Sequence, residues 1–320
     1  MIDAATKALR VIFLGTPDFA LPSLDVVAEI ATLVAVVTQP DKPAGRGKKI
    51  AAPPVAEAAR RLGVSVHQPR TLKDPAVVAA LEAHRPDLLV TVAYGRIIPP
   101  AVIALPRLGC INVHPSLLPL YRGASPIQRA VADGVTMTGV TILYLTEDLD
   151  AGDVILQREI AIGEAETAGA LEARLAQAGA DLLREAIAAI EAGTAPRIPQ
   201  DHARATYVGR LAKEDGLIDW NRPAREIVNI VRAMDPWPSA YTTWRGTLLK
   251  VWRARAGEGT GGPGEVLTAG PETLTVAAGR GAVELLEVQP EGGRRMTVAE
   301  FLRGHPLRAG ERLGAPAAVA

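Results

Sequence analysis

The sequence predicts an α/β protein, a doubly wound, mostly parallel sheet followed by a smaller C-terminal β-barrel. Val11–Leu14 and Leu33–Val37 are apolar throughout and Leu88–Val92 is apolar but for Thr91, as strands buried on both faces of a parallel sheet are. Segments of helical spacing alternate with them, which calls for right-handed crossovers. From Tyr207 the texture changes to short strands broken by glycines, the pattern of a small barrel.

The elements follow in order. Arg10–Thr16 reads as a strand, and Pro17–Asp18 opens a helix that runs to about Ile30. Leu33–Thr38 is a second strand. Gln39–Ala52 carries prolines and glycines and is expected to be neither helix nor strand. Pro53–Leu62 is a helix with proline in its first turn, Ser65–His67 a short strand, Pro75–Ala83 a helix, and Asp87–Ala93 and Gly109–Val113 two further strands. Thr138–Leu145 and Asp153–Ile160 read as antiparallel neighbours around the turn Glu147–Gly152, before an Ala-rich helix over Thr167–Ala192 that ends at Gly193. The expected division is residues 1–193 as a first domain, 194–206 as a linker with two prolines and no periodicity, and 207–320 as the barrel domain. In the last, Leu248–Arg253, Gly264–Leu267, Leu274–Ala277 and Ala282–Val288 are strands, Ala224–Met234 is a helix, and Ala315–Ala320 is a frayed tail.

Composition narrows the class. At 320 residues, 48% apolar and 22% charged, the chain forms cores and is not disordered. One cysteine excludes a disulfide framework and multi-cysteine zinc sites, and the five histidines lack ligand spacing, so no metal is expected. No run reaches the roughly 18 apolar residues of a membrane span, and the N-terminus lacks the apolar core of a signal peptide; a cytoplasmic monomer is expected. Zero net charge argues against wholesale nucleic-acid binding. Local exceptions remain, above all Pro40–Lys49, with four cations against one anion.

The chemistry concentrates in Gly109–Pro119 and Asp150. Asn112 and His114 are two apart, so on a strand both side chains leave the same face. An amide donor beside an imidazole, with a carboxylate to orient it, suits acyl transfer through a tetrahedral oxyanion. No serine or cysteine nucleophile accompanies them, so the attacking group belongs to a substrate. In such sheets ligands bind beyond the carboxyl ends of the strands, which puts Gly15, Gln39, Tyr94 and Asn112–Ser116 on one rim. The turn Gly15–Asp18 has a single glycine followed by a proline and lacks the dinucleotide fingerprint, which disfavours a nicotinamide enzyme. The acidic loop Glu147–Asp153 lacks the remaining ligands of a calcium loop.

The segments Val11–Ala20, Thr38–Lys49, Val92–Pro99, Gly109–Gln128 and Thr146–Val154, with Ile218–Trp220, Val231–Ser239 and Lys250–Ala254 further on, resemble the methionyl-tRNA formyltransferase family of folate-dependent formyltransferases, over nearly the whole chain. The Asn-x-His-Pro-Ser-Leu-Leu-Pro element is shared with other folate formyltransferases. The loop Gln39–Lys49 and the segment around Trp237 are specific to the tRNA enzymes. The resemblance implies a Rossmann-like formyltransferase domain and an OB-like barrel that binds tRNA. It implies 10-formyltetrahydrofolate as formyl donor and initiator methionyl-tRNA as acceptor, for translation initiation. Asn112, His114 and Asp150 are the implied catalytic residues, Asn112 and His114 stabilising the tetrahedral intermediate and Asp150 orienting the imidazole and handling protons. Ser116, Leu117, Leu118 and Pro119 are implied to line the folate pocket, although plain core packing would equally explain the leucines, and Val92–Ile98 would form another wall.

Read alone, the basic loop is an ordinary solvated connection; with the resemblance, Lys42, Arg46, Lys48 and Lys49 are implied tRNA contacts. Leu120 departs from the family pattern, standing where many relatives carry a basic residue, so no tRNA contact is carried over to it. The barrel domain is nearly charge-balanced, with 15 Lys/Arg against 13 Asp/Glu from Tyr207 on, and Arg245, Lys250, Arg253 and Arg255 are candidates for a positive face. The rivals are a folate formyltransferase acting on a small amine and a catalytically idle RNA-binding protein on the same scaffold.

Overall fold

A computed structural model describes residues 9–44 and 49–314. Seven strands form its main sheet: β1 (Arg10–Gly15), β2 (Thr32–Val37), β3 (Val66–His67), β4 (Leu88–Val92), β5 (Cys110–His114), β6 (Met137–Tyr144) and β7 (Val154–Ala161). Their spatial order is β7-β6-β5-β4-β1-β2-β3. The first five in sequence pair parallel, and β6 and β7 add an antiparallel flank.

The parallel strands form because their side chains are apolar on both faces, and β4 is buried along its whole length. Helices α1 (Leu21–Ile30), α2 (Pro54–Arg61) and α3 (Pro75–Glu82) cross between them. Each carries proline in its first turn, where the missing N–H costs nothing, and Asp74 caps α3 by accepting from Ala76 N. Ile12, Leu14, Val37, Leu89 and Cys110 meet in one core cluster. A side chain such as Leu14 or Leu89, with no exposed surface, contributes roughly 1.5–3 kcal/mol by burial. After β3 the chain returns to the sheet centre, so β1 and β4 lie side by side while their connections run to opposite edges. That is the switch point where the carboxyl ends of the strands open a crevice.

Three local features differ from the sequence expectation. The loop after β2 contains a hairpin, Lys42–Ala44 paired with Lys49–Ala51. Pro43 is tolerated there because a two-stranded ribbon leaves a proline free of central ladder bonds. Short helices α4 (Pro100–Ile103) and α5 (Pro126–Ala132) occupy stretches left unassigned. Residues 194–206, read as a linker, are hydrogen-bonded along much of their length: Ile198 exchanges two backbone bonds with Val154, and Thr206 bonds Pro119 O and Arg122 N. Tyr207–Val208 then runs parallel to Arg122–Gly123. Helix α6 (Ala168–Glu191) is the Ala-rich helix, one residue shorter at each end.

The chain divides into two units, one of residues up to Pro126 with Met137–Ala161 and Glu172–Val208, the other of Ile127–Thr136, Ile162–Leu171 and the chain from Gly209. The second unit holds an antiparallel sheet of β8 (Ala240–Trp244), β9 (Thr247–Gly257), β10 (Val266–Ala269), β11 (Leu274–Ala277), β12 (Ala282–Pro290) and β13 (Met296–Thr297), in the order β8-β9-β12-β11-β10 with β13 on β12. The segment 310–314 bonds Val266 and Gly264 on one side and Thr243 on the other, so the two edge strands are joined through it. Helix α7 (Ala224–Ala233) packs on β9, and α8 (Val298–Gly304) starts at a Thr297–Glu300 capping box. β8, β13 and α8 were not anticipated. The expected tail, Ala315–Ala320, lies outside the described residues.

Candidate active site

Asn112 and His114 sit on β5 and share a face, and Asp150 comes from the turn between β6 and β7. In parallel register, Thr91 of β4 faces Asn112. The Thr91 hydroxyl stands 2.8 Å from Asn112 Oδ1 and 3.1 Å from Ile111 O. By donating to Oδ1 it turns the amide NH₂ of Asn112 away from the sheet, as a donor toward the rim. Asn112 is half-buried; His114 and Asp150 are buried.

His114 Nε2 lies 3.0 Å from Tyr121 O. A carbonyl only accepts, so Nε2 carries the hydrogen. Nδ1 then faces the carboxylate, 3.7 Å from Asp150 Oδ2, where a proton on the ring converts two facing lone pairs into an ion pair. Asp150 Oδ2 also accepts from Gly123 N at 2.9 Å. Asp150 has a left-handed backbone (φ 49), a region that aspartate enters more readily than most non-glycine residues but still less readily than the right-handed one. Two glycines permit this packing. A Cβ on Gly123 (φ 113) would meet Val208 O at 2.3 Å, and one on Gly152 would meet Tyr144 O at 1.9 Å.

The turn after His114 is internally braced. Ser116, fully buried, donates its hydroxyl to Leu120 O at 2.6 Å, and its carbonyl accepts from Thr141. Leu118 N donates to Thr141 Oγ1, and Gln157 donates to Leu118 O. Leu118 is buried, while Leu117 and Pro119 are half-buried. Beyond β4, Thr16 Oγ1 and Gln39 Nε2 both donate to Tyr94 O, which ties the ends of β1, β2 and β4 together. Burial pushes the Tyr94 phenol up, with Arg96 opposing, and burial alone pushes up the Cys110 thiol, so neither supplies a nucleophile near neutral pH. Past Tyr94 the rim exposes Ala93, Gly95 and, at 84%, Ile97, apolar surface of the kind a flat heteroaromatic ring covers.

Two family models match the chain: "Formyl transferase" over residues 9–187 and "Formyl transferase, C-terminal domain" over residues 210–306. A methionyl-tRNA formyltransferase of Pelotomaculum thermopropionicum is 47% identical over 96% of this chain and 99% of its own length. That of Syntrophus aciditrophicus is 48% identical over 96% and 99%. The chain belongs to the methionyl-tRNA formyltransferase family.

Solved structures with this fold include an N-formyltransferase from Helicobacter canadensis in complex with folinic acid and dTDP-3-aminofucose, at 17% identity and TM-score 0.65, covering 90% of this chain and 100% of that one. HypX from Aquifex aeolicus in complex with tetrahydrofolic acid matches at 22% and 0.62, covering 92% and 47%. The α/β formyltransferase fold with a separate antiparallel β domain is therefore the one the sequence predicted.

The methionyl-tRNA formyltransferase residues expected from sequence are placed as follows. Asn112, His114 and Asp150 stand together at the carboxyl end of β5, with Ser116–Pro119 in the turn beside them. Lys42 is in the hairpin and donates to Gln39 Oε1 at 2.5 Å; Lys49 is in the opposite strand; Arg46 and Lys48 lie outside the described residues. In the second unit Arg245, Arg253 and Arg255 are ion-paired to Glu311, Glu287 and Glu284, and Lys250 lies over the Trp252 ring, so that face is less positive than its arginines suggest. Among the described residues no group of three or more His, Cys, Asp or Glu could hold a metal ion, and no helix is long and apolar enough to cross a membrane. Sequence reasoning missed Thr91, Tyr121 and Gln200. Only Tyr121 carried a signal, its place in the turn segment that follows Pro119.

Proposed function

We propose that this protein transfers the formyl group of 10-formyltetrahydrofolate to the α-amino group of methionine on initiator tRNA. The observation that carries this reading is near-full-length similarity, through both domains, to enzymes of that name. A chain that shared only the folate-binding half would leave the acceptor open. In this reading the enzyme works as a monomer in the cytoplasm. Residues 1–193 form the catalytic domain, the expected linker 194–206 is hydrogen-bonded onto it, and 207–320 form an OB-like domain that holds tRNA with help from the basic loop at Lys42, Arg46, Lys48 and Lys49.

The folate supplies a formyl carbon bonded to N10. Leu117 and Pro119, in the turn that buried Ser116 and Leu118 brace, hold it with the apolar rim at Ala93–Ile97. The methionyl α-amine has an ordinary pKa near 8, so a useful share is neutral at pH 7 and needs no strong base. As the amine nitrogen bonds to the formyl carbon, charge builds on the formyl oxygen. The Asn112 NH₂, aimed by Thr91, donates to that oxygen. The amine must lose a proton, and the His114 Nδ1–Asp150 pair is the place to receive it. The C–N10 bond then breaks, and a proton ends on the departing N10, so the transfer is balanced without a metal or redox step.

The test is formyl transfer to initiator methionyl-tRNA beside an elongator methionyl-tRNA and a free small amine, glycinamide ribonucleotide. Preferential formylation of the initiator supports the reading. Equal or better use of the small amine would replace it with a small-amine formyltransferase. Arg46→Ala is expected to erode the initiator preference, and equal losses on both tRNAs would remove Arg46 from that role.

A further inference from the structure

Arg122 is 2% exposed, yet among the described residues no carboxylate pairs with its guanidinium. Its donors end on neutral acceptors: Gln200 Oε1 from Nε at 3.2 Å and Nη2 at 2.7 Å, Tyr207 OH from Nη1 at 3.1 Å, and His202 Nδ1 from Nη2 at 3.1 Å. A buried cation held by neutral dipoles is a costly arrangement for stability alone. Its effect on Gln200 is specific. A guanidinium has donors only, so the Gln200 amide must present its oxygen to Arg122 and its NH₂ to the other side. On that side lie Asp150 O at 2.9 Å and Gly152 O at 2.8 Å. All four hydrogen-bonding positions of the buried Gln200 amide are thereby filled.

We propose that Gln200, its orientation forced by the buried Arg122, is a positioning residue that sets the Asp150 turn and so places the Asp150 carboxylate against His114. Two holds converge on this one residue. Gly123, next to Arg122, gives its N–H to Asp150 Oδ2, fixing the side chain. Arg122 acts through Gln200 on the carbonyls of Asp150 and Gly152, fixing the backbone. Asp150 needs the second hold because its backbone is left-handed (φ 49), and a turn released from Gln200 is free to relax toward commoner angles. Such a shift would carry the carboxylate away from Nδ1 without touching either substrate.

The inference rests on the reading of Asp150 as part of the catalytic site, and a double-mutant cycle separates the two. Gln200→Glu keeps an acceptor for Arg122 but cannot donate to either carbonyl. We expect kcat in single-turnover formylation of initiator methionyl-tRNA to fall about 10–100-fold, the scale of a small misplacement of reacting groups. KM for tRNA and for 10-formyltetrahydrofolate should stay near wild type. In an Asp150→Asn background the same change should cost little further, because a residue acting through Asp150 has nothing left to position. Arg122→Lys, which keeps the charge but loses the fork, should behave alike and serves if Gln200→Glu fails to fold. Near wild-type kcat in both variants, or an equal fold-loss with and without Asp150, would overturn the positioning role. Near wild-type turnover of Asp150→Asn by itself would instead remove Asp150 from the site, and this inference with it.

Discussion

His114 Nε2 stands 3.0 Å from the carbonyl oxygen of Tyr121, a residue itself in a left-handed conformation (φ 58). That contact assigns the ring hydrogen and leaves Nδ1 to face Asp150. The pair can thus take up one proton between imidazole and carboxylate. Asp150→Asn keeps an oxygen for the Gly123 N–H but cannot share that proton. It is expected to lose about 10²–10⁴ in kcat, the range for a general acid–base group, with donor affinity by equilibrium titration largely retained. A loss confined to KM would argue that Asp150 only shapes the pocket.

Thr91 is buried and decides which end of the Asn112 amide faces the rim. Thr91→Val keeps shape and removes the hydroxyl, so the amide is free to present its oxygen where a donor is needed. We expect kcat to fall about 10-fold, the equivalent of roughly 1.4 kcal/mol of transition-state stabilisation, with Thr91→Ser restoring most of it. Equal activity of the Val and Ser variants would show that Asn112 is oriented by something else.

Lys42 reaches back to Gln39, which is bonded to the rim at Tyr94 O, so the hairpin's first cation is tethered to the site. As a phosphate contact, Lys42→Ala should weaken tRNA binding and reduce the slope of log K against log salt by about 1. The rate at saturating tRNA should not change. A filter-binding titration across salt concentrations checks this, and an unaltered slope would remove Lys42 from the interface.

In the second unit, the Arg294 guanidinium, with the Thr297 N–H and hydroxyl, holds the Glu300 carboxyl down to about 2 from its ordinary 4.5. A carboxyl depressed by folding adds stability that is fully present above its unfolded pKa and is lost as pH falls through the folded one. The difference in urea midpoint between wild type and Glu300→Gln should therefore be full above pH 4.5 and narrow as pH drops toward 2. A difference constant across that range would show that the capping box of α8 adds nothing through charge.

The sheet was legible because most of its parallel strands are short, nearly continuous apolar runs rich in β-branched residues and bounded by turn residues. Asn112 and His114 could be placed together because strand alternation is strictly local. Thr91 could not, since it meets Asn112 through a register between strands about twenty residues apart, and only pairing sets a register. Gln200 and the residues around it lie in a stretch with prolines and no periodicity, so the sequence marks it as loop and says nothing of what it touches. The hairpin at Lys42–Ala51 was hidden by the prolines and glycines that usually break strands. Helix α8 went unread although Thr297-Val-Ala-Glu300, a capping box ahead of the apolar Phe301, marks its start.

The most direct test of the account is single-turnover transfer of formyl from 10-formyltetrahydrofolate to initiator methionyl-tRNA by Asn112→Ala, with donor and tRNA affinities measured alongside. The expected rate is lower by about 10²–10³, the cost of one oxyanion donor, with both substrates still bound as in wild type. A rate close to wild type, or a loss explained wholly by weaker binding, would contradict it.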